Sequence, residues 1–321
     1  MKLASFEVDT PVGAVRRVGA HDGDGLVDLT AAYAARLADR GEQDPTAVAE
    51  TVVPPEMLEF LRRGDRALEA AGEAVEFVAG SEVTAPNGAR TRYDSEEVRL
   101  LSPLPRPNSI RDFMVFEEHV QNSLEGEIPD VWYDIPVYYK GNPDSIAHPN
   151  EAVEWPSYTD KLDYELELCA VVGKRGRDIP AEEADEYIAG YTIFNDFSAR
   201  DIQMKEMAGQ LGPTKGKDFA NGFGPYLVTR DSIEFENLHV TARVNGETWS
   251  EGDIGEMYHS FADIIEYVSQ DETLHPGDVL GTGTVGGGCG LELDRWIEPG
   301  DTVELDAEGI GTLRHEIVGG D

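Results

Sequence analysis

Residues 162–174 read LDYELELCAVVGK, a period-two pattern that commits the segment to a β-strand. Side chains alternate along a strand. Leu162, Tyr164, Leu166 and Leu168 therefore form one apolar face, and Asp163, Glu165 and Glu167 an acidic one. The CAVV run that follows is apolar on both faces, so the second half of the strand is expected to be buried. A strand entering a core in this way leaves its carboxylates two uses: they meet solvent, or they share a cation.

Most of the chain beyond residue 105 has the same strand character. AVEWP, AGYTIFND, GPYLVT, HVTARVNGETW, GDVLGTGTV and DTVELDAEGIGTLRHEIV are short, β-branched or aromatic, and bounded by Gly, Pro, Asn or Asp. Helical patterns are scattered among them at DFMVFEEHVQNSL, PAEEADEYIAG, SARDIQMKEMAG and SFADIIEYVSQ. The expectation is an α+β, β-rich fold, a barrel or stacked sheets with helices outside, and not a doubly wound sheet. Upstream, the strand patterns KLASFEV and GAVRRVGAH turn at DGDG and lead to two helical stretches, TAAYAARLADRG and PPEMLEFLRRGDRALEAAG. The prolines of the latter suit a first helical turn. Three prolines in LLSPLPRPNSI mark a boundary. The chain is read as a small N-terminal α/β domain with its linker, 1–100, and a larger domain, 101–321.

Charge excludes several classes of partner. With 26 Lys and Arg against 63 Asp and Glu, the net charge is −37, which argues against nucleic acid or an anionic membrane. The acids are spread along the chain, a pattern expected of a surface adapted to high salt. On such a surface a Glu-x-Glu pair is often merely solvated, so Glu165 and Glu167 alone decide nothing. The two cysteines, Cys169 and Cys289, have no neighbour at metal-ligand spacing and read as reduced thiols. MKLASFEVDT lacks the apolar core of a signal peptide, and no uncharged run reaches bilayer length. A soluble, cytoplasmic protein is expected.

Three motifs are set aside. Gly281, Gly283 and Gly286 satisfy G-x-G-x-x-G, but no helix pattern opens there, so a dinucleotide site is not expected. Asp22 and Asp24 begin like a calcium loop that lacks its closing glutamate, and read as a hairpin turn. No phosphate-binding G-K-[ST] and no G-x-S-x-G elbow occurs.

The remaining constellation is built on carboxylates. Asp196 closes the apolar strand GYTIFND, just before Ser198, a candidate helix cap. Asp112 precedes His119 by seven residues, two turns if both lie on one helix, and so one face. Asp112, Glu165, Glu167 and Asp196 would suit a hard cation such as magnesium, calcium or manganese. Lys217 would reduce their charge and donate to a substrate oxygen. Each has a plainer reading: a helix-start or turn aspartate, a surface lysine, a satisfied histidine. Arg200 and Asp201 read as helix-surface or structural ion pairs. The residues by themselves leave both readings open.

DYELELCAVVGKRGRDI, GYTIFNDFSARDIQ, LGPTKGKDF, GPYLVT, GDVLGTGT and EPGDTVELDAEGIGTLRHEI resemble, in that order, the catalytic domain of the fumarylacetoacetate hydrolase superfamily. The likeness runs from about residue 105 to the C-terminus. It implies a β-sandwich or barrel-like catalytic domain, usually a homodimer, holding one divalent cation, here magnesium with calcium or manganese as alternatives. It implies metal ligands at Asp112, Glu165, Glu167 and Asp196, and a catalytic lysine at Lys217. Gln203 and Thr284 fall where the family contacts substrate. The site pattern is nearest the fumarylacetoacetase branch, which implies a base at His119 oriented by Glu292.

The implied reaction is hydrolysis of a carbon–carbon bond in a β-diketo or acylpyruvate-type oxo acid. In it the cation polarises the carbonyl, His119 activates water, and Lys217 steadies the departing enolate. Decarboxylases, isomerases and sugar-acid dehydratases of the superfamily are alternatives, and a non-catalytic cation-binding protein lies outside the class. Of the substrate-holding positions in that branch only Tyr139 persists, while Met114, Met207 and Ile128 replace polar residues. A shorter or monoacidic substrate is therefore expected.

Overall fold

The computed structural model describes residues 1–11, 13–23, 25–123 and 126–320. The chain separates into two compact units, Met1–Pro105 and Arg106–Asp321.

In the first unit, strands β1 (Lys2–Thr10), β2 (Gly13–Asp22), β3 (Gly25–Asp28), β4 (Arg92–Asp94) and β5 (Arg99–Leu101) form an antiparallel sheet in the order β4-β3-β2-β1-β5. Asp22 pairs with Gly25 across the β2–β3 connection; Asp24, the second aspartate of the discounted calcium loop, lies outside the described residues. Asp28 caps α1 (Leu29–Asp39) by accepting from Ala31 N at 2.9 Å. Full burial raises its carboxyl to about 6, against the opposing pull of that amide and of Arg17. The expected second helix is in fact two, α3 (Met57–Arg62) and α4 (Asp65–Val78), broken at Gly64 with φ +58°. Pro54 and Pro55 lie ahead of α3. An unforeseen α2 (Pro45–Val52) carries its own proline at the first turn.

The second unit has β6 (Ser109–Phe113), α5 (Glu117–Ser123), α6 (Asp130–Asp134), β7 (Tyr138–Gly141), β8 (Ile146–Ala147), β9 (Val153–Glu154), β10 (Leu162–Asp163) and β11 (Leu166–Val172). There follow β12 (Gly176–Arg177), β13 (Ile188–Asp196), β14 (Ser198–Ala199), α7 (Arg200–Ala208), β15 (Asn221–Thr229), β16 (His239–Val244) and β17 (Glu247–Asp253). Last come α8 (Phe261–Ser269), β18 (Thr273–Leu274), β19 (Asp278–Gly281), α9 (Gly290–Leu293), β20 (Thr302–Ala307) and β21 (Gly311–Val318). This is the mixed, strand-rich α+β fold expected from the sequence.

One sheet runs β15-β13-β11-β19-β6-β7, and a second runs β17-β16-β20-β21-β9. Leu166, Leu168, Ala170 and Val172 of β11 join Val240, Ala242, Val303, Leu305 and Leu313 of the second sheet in one apolar core. That core fixes the register of β11, because a slip of one residue would exchange its faces. Glu167 and Cys169 must then point to the opposite side. Ser260 and Asp263 close a capping box at the start of α8.

Three local expectations are corrected. DFMVFEEHVQNS is not one helix: Asp112 ends up on β6 and His119 on α5, so their seven-residue interval does not represent two turns. The segment's last residue, Leu124, lies outside the described residues. PAEEADEYIAG makes a 3-10 helix, Ala181–Tyr187. Ser198 caps nothing; its hydroxyl donates to Asp196 O at 3.0 Å, and α7 starts from Ala199.

Candidate metal centre and its flanking base

Residues opposed across a sheet ladder project their side chains to the same side. Tyr139 stands opposite Asp112, Asp112 opposite Gly281, and Gly281 opposite Cys169. One further pleat along, Glu167 lies opposite Phe194, with Asp196 two residues on. Strands β6, β11 and β13 thus bring Asp112, Glu167 and Asp196 to the face turned away from the apolar core, and Glu165 joins them just ahead of β11. Donor oxygens of Asp112, Glu165, Glu167 and Asp196 all fall within 4.8 Å of one another.

All four carboxylates are buried, so the solvated-face reading of the E-L-E pair fails. Lys217 Nζ lies 2.5 Å from Glu165 Oε2 and 2.6 Å from Asp196 Oδ2, and Arg200 Nη1 lies 2.8 Å from Glu165 Oε1. Tyr139 donates to Asp196 Oδ2 at 2.6 Å, and Thr284 to Glu167 Oε1 at 3.1 Å. Yet Asp112 Oδ1, Glu167 Oε2 and Asp196 Oδ1 are buried with no hydrogen-bond partner. Burial raises the carboxyls of Asp112 and Glu167 well above the usual range, and their neighbouring carboxylates add to it. Asp196 rises to about 6 by burial, against Lys217. Glu165 alone is held low, its burial outweighed by Lys217, Arg200 and His119. Lys217 stays charged, burial being outweighed by Asp196 and Glu165. Orphaned oxygens converging on one point, all of them hard donors, fit a divalent cation.

Packing room for this cluster comes from glycines. A Cβ on Gly281 would lie 2.4 Å from Asp112 Oδ1, and one on Gly283 2.3 Å from Phe113 O, at a φ of +78°. The G-x-G-x-x-G run is therefore a mould for β6 and not a phosphate loop.

On the flank, His119 Nδ1 makes a very short contact with Glu292 Oε1. The side chain of Glu292 is 1% exposed. It also accepts from Gly287 N at 2.6 Å and Asn122 Nδ2 at 3.0 Å, and Cys289 Sγ lies 3.5 Å away. Asn122 was not singled out, although it follows His119 by three residues on the same helical face. Arg200 and Asp163 were also underrated. Arg200 is buried, bridges Asp163 and Glu165, and donates to Gln203 Oε1 at 3.0 Å. Asp201, by contrast, keeps a structural role, bonded to Thr159 and the Asp160 amide. Met114 is half-buried, its carbonyl held by Trp132 Nε1 at 2.6 Å. Met207 is 51% exposed on α7, and Ile128 is half-buried.

Residues 108–318 match the family model for the C-terminal domain of fumarylacetoacetate (FAA) hydrolase. The chain is similar to oxaloacetate tautomerase YisK of Bacillus subtilis, 34% identical over 83% of this chain and 87% of that protein. It is similar to the mitochondrial oxaloacetate tautomerase FAHD2A of Homo sapiens, 31% identical over 99% and 92%. Among solved structures, fumarylacetoacetate hydrolase from Exiguobacterium antarcticum superposes with a TM-score of 0.71 at 27% identity, covering 99% of this chain and 100% of that one. The expected nearness to the fumarylacetoacetase branch finds no support in the two tautomerase relatives. Among the described residues no helix is long and apolar enough to cross a membrane.

Proposed function

Since the chain belongs to the fumarylacetoacetate hydrolase family, we propose that it is a divalent-metal-dependent enzyme interconverting the keto and enol forms of a short β-oxo acid of the oxaloacetate type. The observation that carries this reading is His119, buried and fixed on the buried side chain of Glu292, beside a carboxylate cluster with unpartnered oxygens. The two tautomerase relatives support the substrate class.

Asp112, Glu165, Glu167 and Asp196 would hold magnesium, with calcium or manganese the other hard cations suited to an all-oxygen set. Such an ion supplies Lewis acidity to the oxygens of a chelating oxo acid. The chain's own groups do the rest. The Glu292 carboxylate accepts from Nδ1–H of His119, which fixes the tautomer with Nε2 free as a base. Nε2 takes a proton from the carbon between the two carbonyls, where the resulting anion is an enolate. Lys217 Nζ, kept charged, offsets negative charge at the enolate oxygen. Return of the proton to oxygen or to carbon gives enol or keto acid, with nothing else consumed.

The same fixed base supports a second reading. Directed at water instead of carbon, His119 would serve the hydrolysis of an acylpyruvate carbon–carbon bond. Met114 and Met207 offer no cation to a distant carboxylate, so fumarylacetoacetate is proposed as a poor substrate in either case. A panel of oxaloacetate, acetylpyruvate and fumarylacetoacetate, each assayed with and without chelator, tests the proposal. Chelator-sensitive loss of the oxaloacetate enol absorbance, without release of new acids, is expected. Acetate and pyruvate formed from acetylpyruvate would move the assignment to hydrolysis, and no chelator-sensitive turnover at all would remove it.

A further inference from the structure

Asp163 lies two residues before Glu165 yet stands outside the metal-ligating group. It is fully buried, and each of its oxygens is engaged. Oδ1 accepts from Gly290 N at 2.7 Å, and Oδ2 from Leu291 N at 3.0 Å and Arg200 Nε at 2.8 Å. Gly290 and Leu291 open α9, the short helix that carries Glu292. The other end of the Arg200 guanidinium lies 2.8 Å from Glu165 Oε1. A continuous series of contacts thus runs from Glu165 by an ion pair to Arg200, by hydrogen bonds through Asp163 to the backbone of α9, and along that helix to Glu292 and His119. The approach is close: a Cβ on Gly290 would sit 2.6 Å from Asp163 Oδ1. Since α9 has only four residues, its own hydrogen bonding does little to fix its place.

We propose that Asp163 is a positioning residue that ties the helix bearing Glu292 to the metal-ligating carboxylates, and so sets the orientation of His119. It acts through Glu292 and touches neither substrate nor ion. The inference rests on the proposed use of His119 as the base.

Asp163→Asn removes the charge while preserving size. On the best substrate of the panel, kcat should fall ~10–100-fold, as for loss of an outer-shell support, with KM and the calorimetric metal affinity within ~2-fold of the parent. In a Glu292→Gln background the same change should cost less than ~2-fold, because the two residues act in series. Equal losses in both backgrounds, or a folded Asp163→Asn protein with parental kcat, would overturn the proposal. If Asp163→Asn does not fold, Asp163→Asn/Arg200→Gln, which removes both buried charges, is carried through the same cycle and judged on the kcat coupling with Glu292→Gln and on the His119 spectrum, because Arg200 also pairs with Glu165. A second readout is independent of any substrate. In the metal-free parent, the His119 ring nitrogen resonances should show a single Nδ1–H tautomer, and in the Asp163 variant a mixture. An unchanged His119 spectrum would refute the positioning role even if the substrate assignment held, whereas a mixture in a protein with no turnover on the panel would leave it standing and remove only the substrate assignment.

Discussion

Two groups of buried carboxylates lie only a few residues apart, and the chain treats them in opposite ways. Asp163 accepts hydrogen bonds from Arg200 and two backbone amides, so that both of its oxygens are engaged. Asp112, Glu167 and Asp196 are equally buried, and each retains an oxygen with no partner. A fold that satisfies one acid fully and leaves three others short has located its unsatisfied charge. The first ties Arg200 to the start of α9, and the second is the candidate cation site. Burial is common to both, and what sets the second apart is that its unpartnered oxygens belong to one cluster, whereas Asp28, buried in the first unit with an oxygen that also lacks a hydrogen bond, has no such neighbours among the described residues.

Attacking the second group should have the largest effect. Glu167→Ala is expected to abolish calorimetric metal binding and lower turnover by more than ~100-fold, beyond what loss of an outer-shell support costs; unchanged affinity would dissolve the distinction. The first group should respond in stability instead. Asp163→Ala removes one of the two carboxylates that Arg200 bridges and leaves the Gly290 and Leu291 amides without their acceptor, and should cost ~1–3 kcal/mol in denaturant unfolding. In the metal-free protein Glu167→Gln should be neutral or stabilising, since it removes uncompensated charge. If both variants destabilise equally, the comparison fails. His119→Ala should reduce kcat by ~100-fold with metal affinity intact, separating the base from the ligands.

Acidity offers a finer discrimination. Burial raises Asp196 from the ordinary aspartate value of 3.8 to about 6 in the folded protein, so between those values the folded state binds more protons than the unfolded one. Stability from this group is then greatest at the acid end and is lost as the pH rises through about 6. The chelated protein should melt several degrees lower at pH 7 than near pH 4.5 on this account. Bound magnesium should flatten or reverse the trend, because it favours the ionised cluster. Asp28 contributes with the same sign in both conditions and cancels in the difference. A chelated protein whose melting temperature rises across this range would contradict the picture. The smallest effect is expected from salt. With a net charge of −37, the melting temperature should climb by a few degrees toward molar potassium chloride as repulsion is screened, and a steady fall would reject a high-salt surface.

Much of this was legible in the sequence because it is local. The alternation in 162–168 foresees an extended segment with one apolar face and the register of β11, but not that the strand is split into β10 (Leu162–Asp163) and β11 (Leu166–Val172), with Tyr164 and Glu165 between them. The carboxylates, His119 and Glu292 were placed by resemblance, and their stated geometry was partly wrong, Asp112 being on a strand and not on the helix of His119. What the sequence hid is long-range partnership. Gly290 meets Asp163 across 127 positions, and Arg200 meets it across 37. No periodicity encodes such pairings, so from the sequence Arg200 reads only as an ion-pair residue and Asp163 only as part of an acidic strand face, while the fold brings both to the carboxylate cluster.

The glycine mould has a consequence for how such a chain can change over time. Gly281 cedes its side-chain volume to Asp112, and Gly283 cedes its own to the backbone after it. Each position is tightly restricted, since even a methyl group there would displace Asp112 or the segment leading to α5. Drift at those two sites is closed by the fold itself, at residues that have no side chain with which to do chemistry.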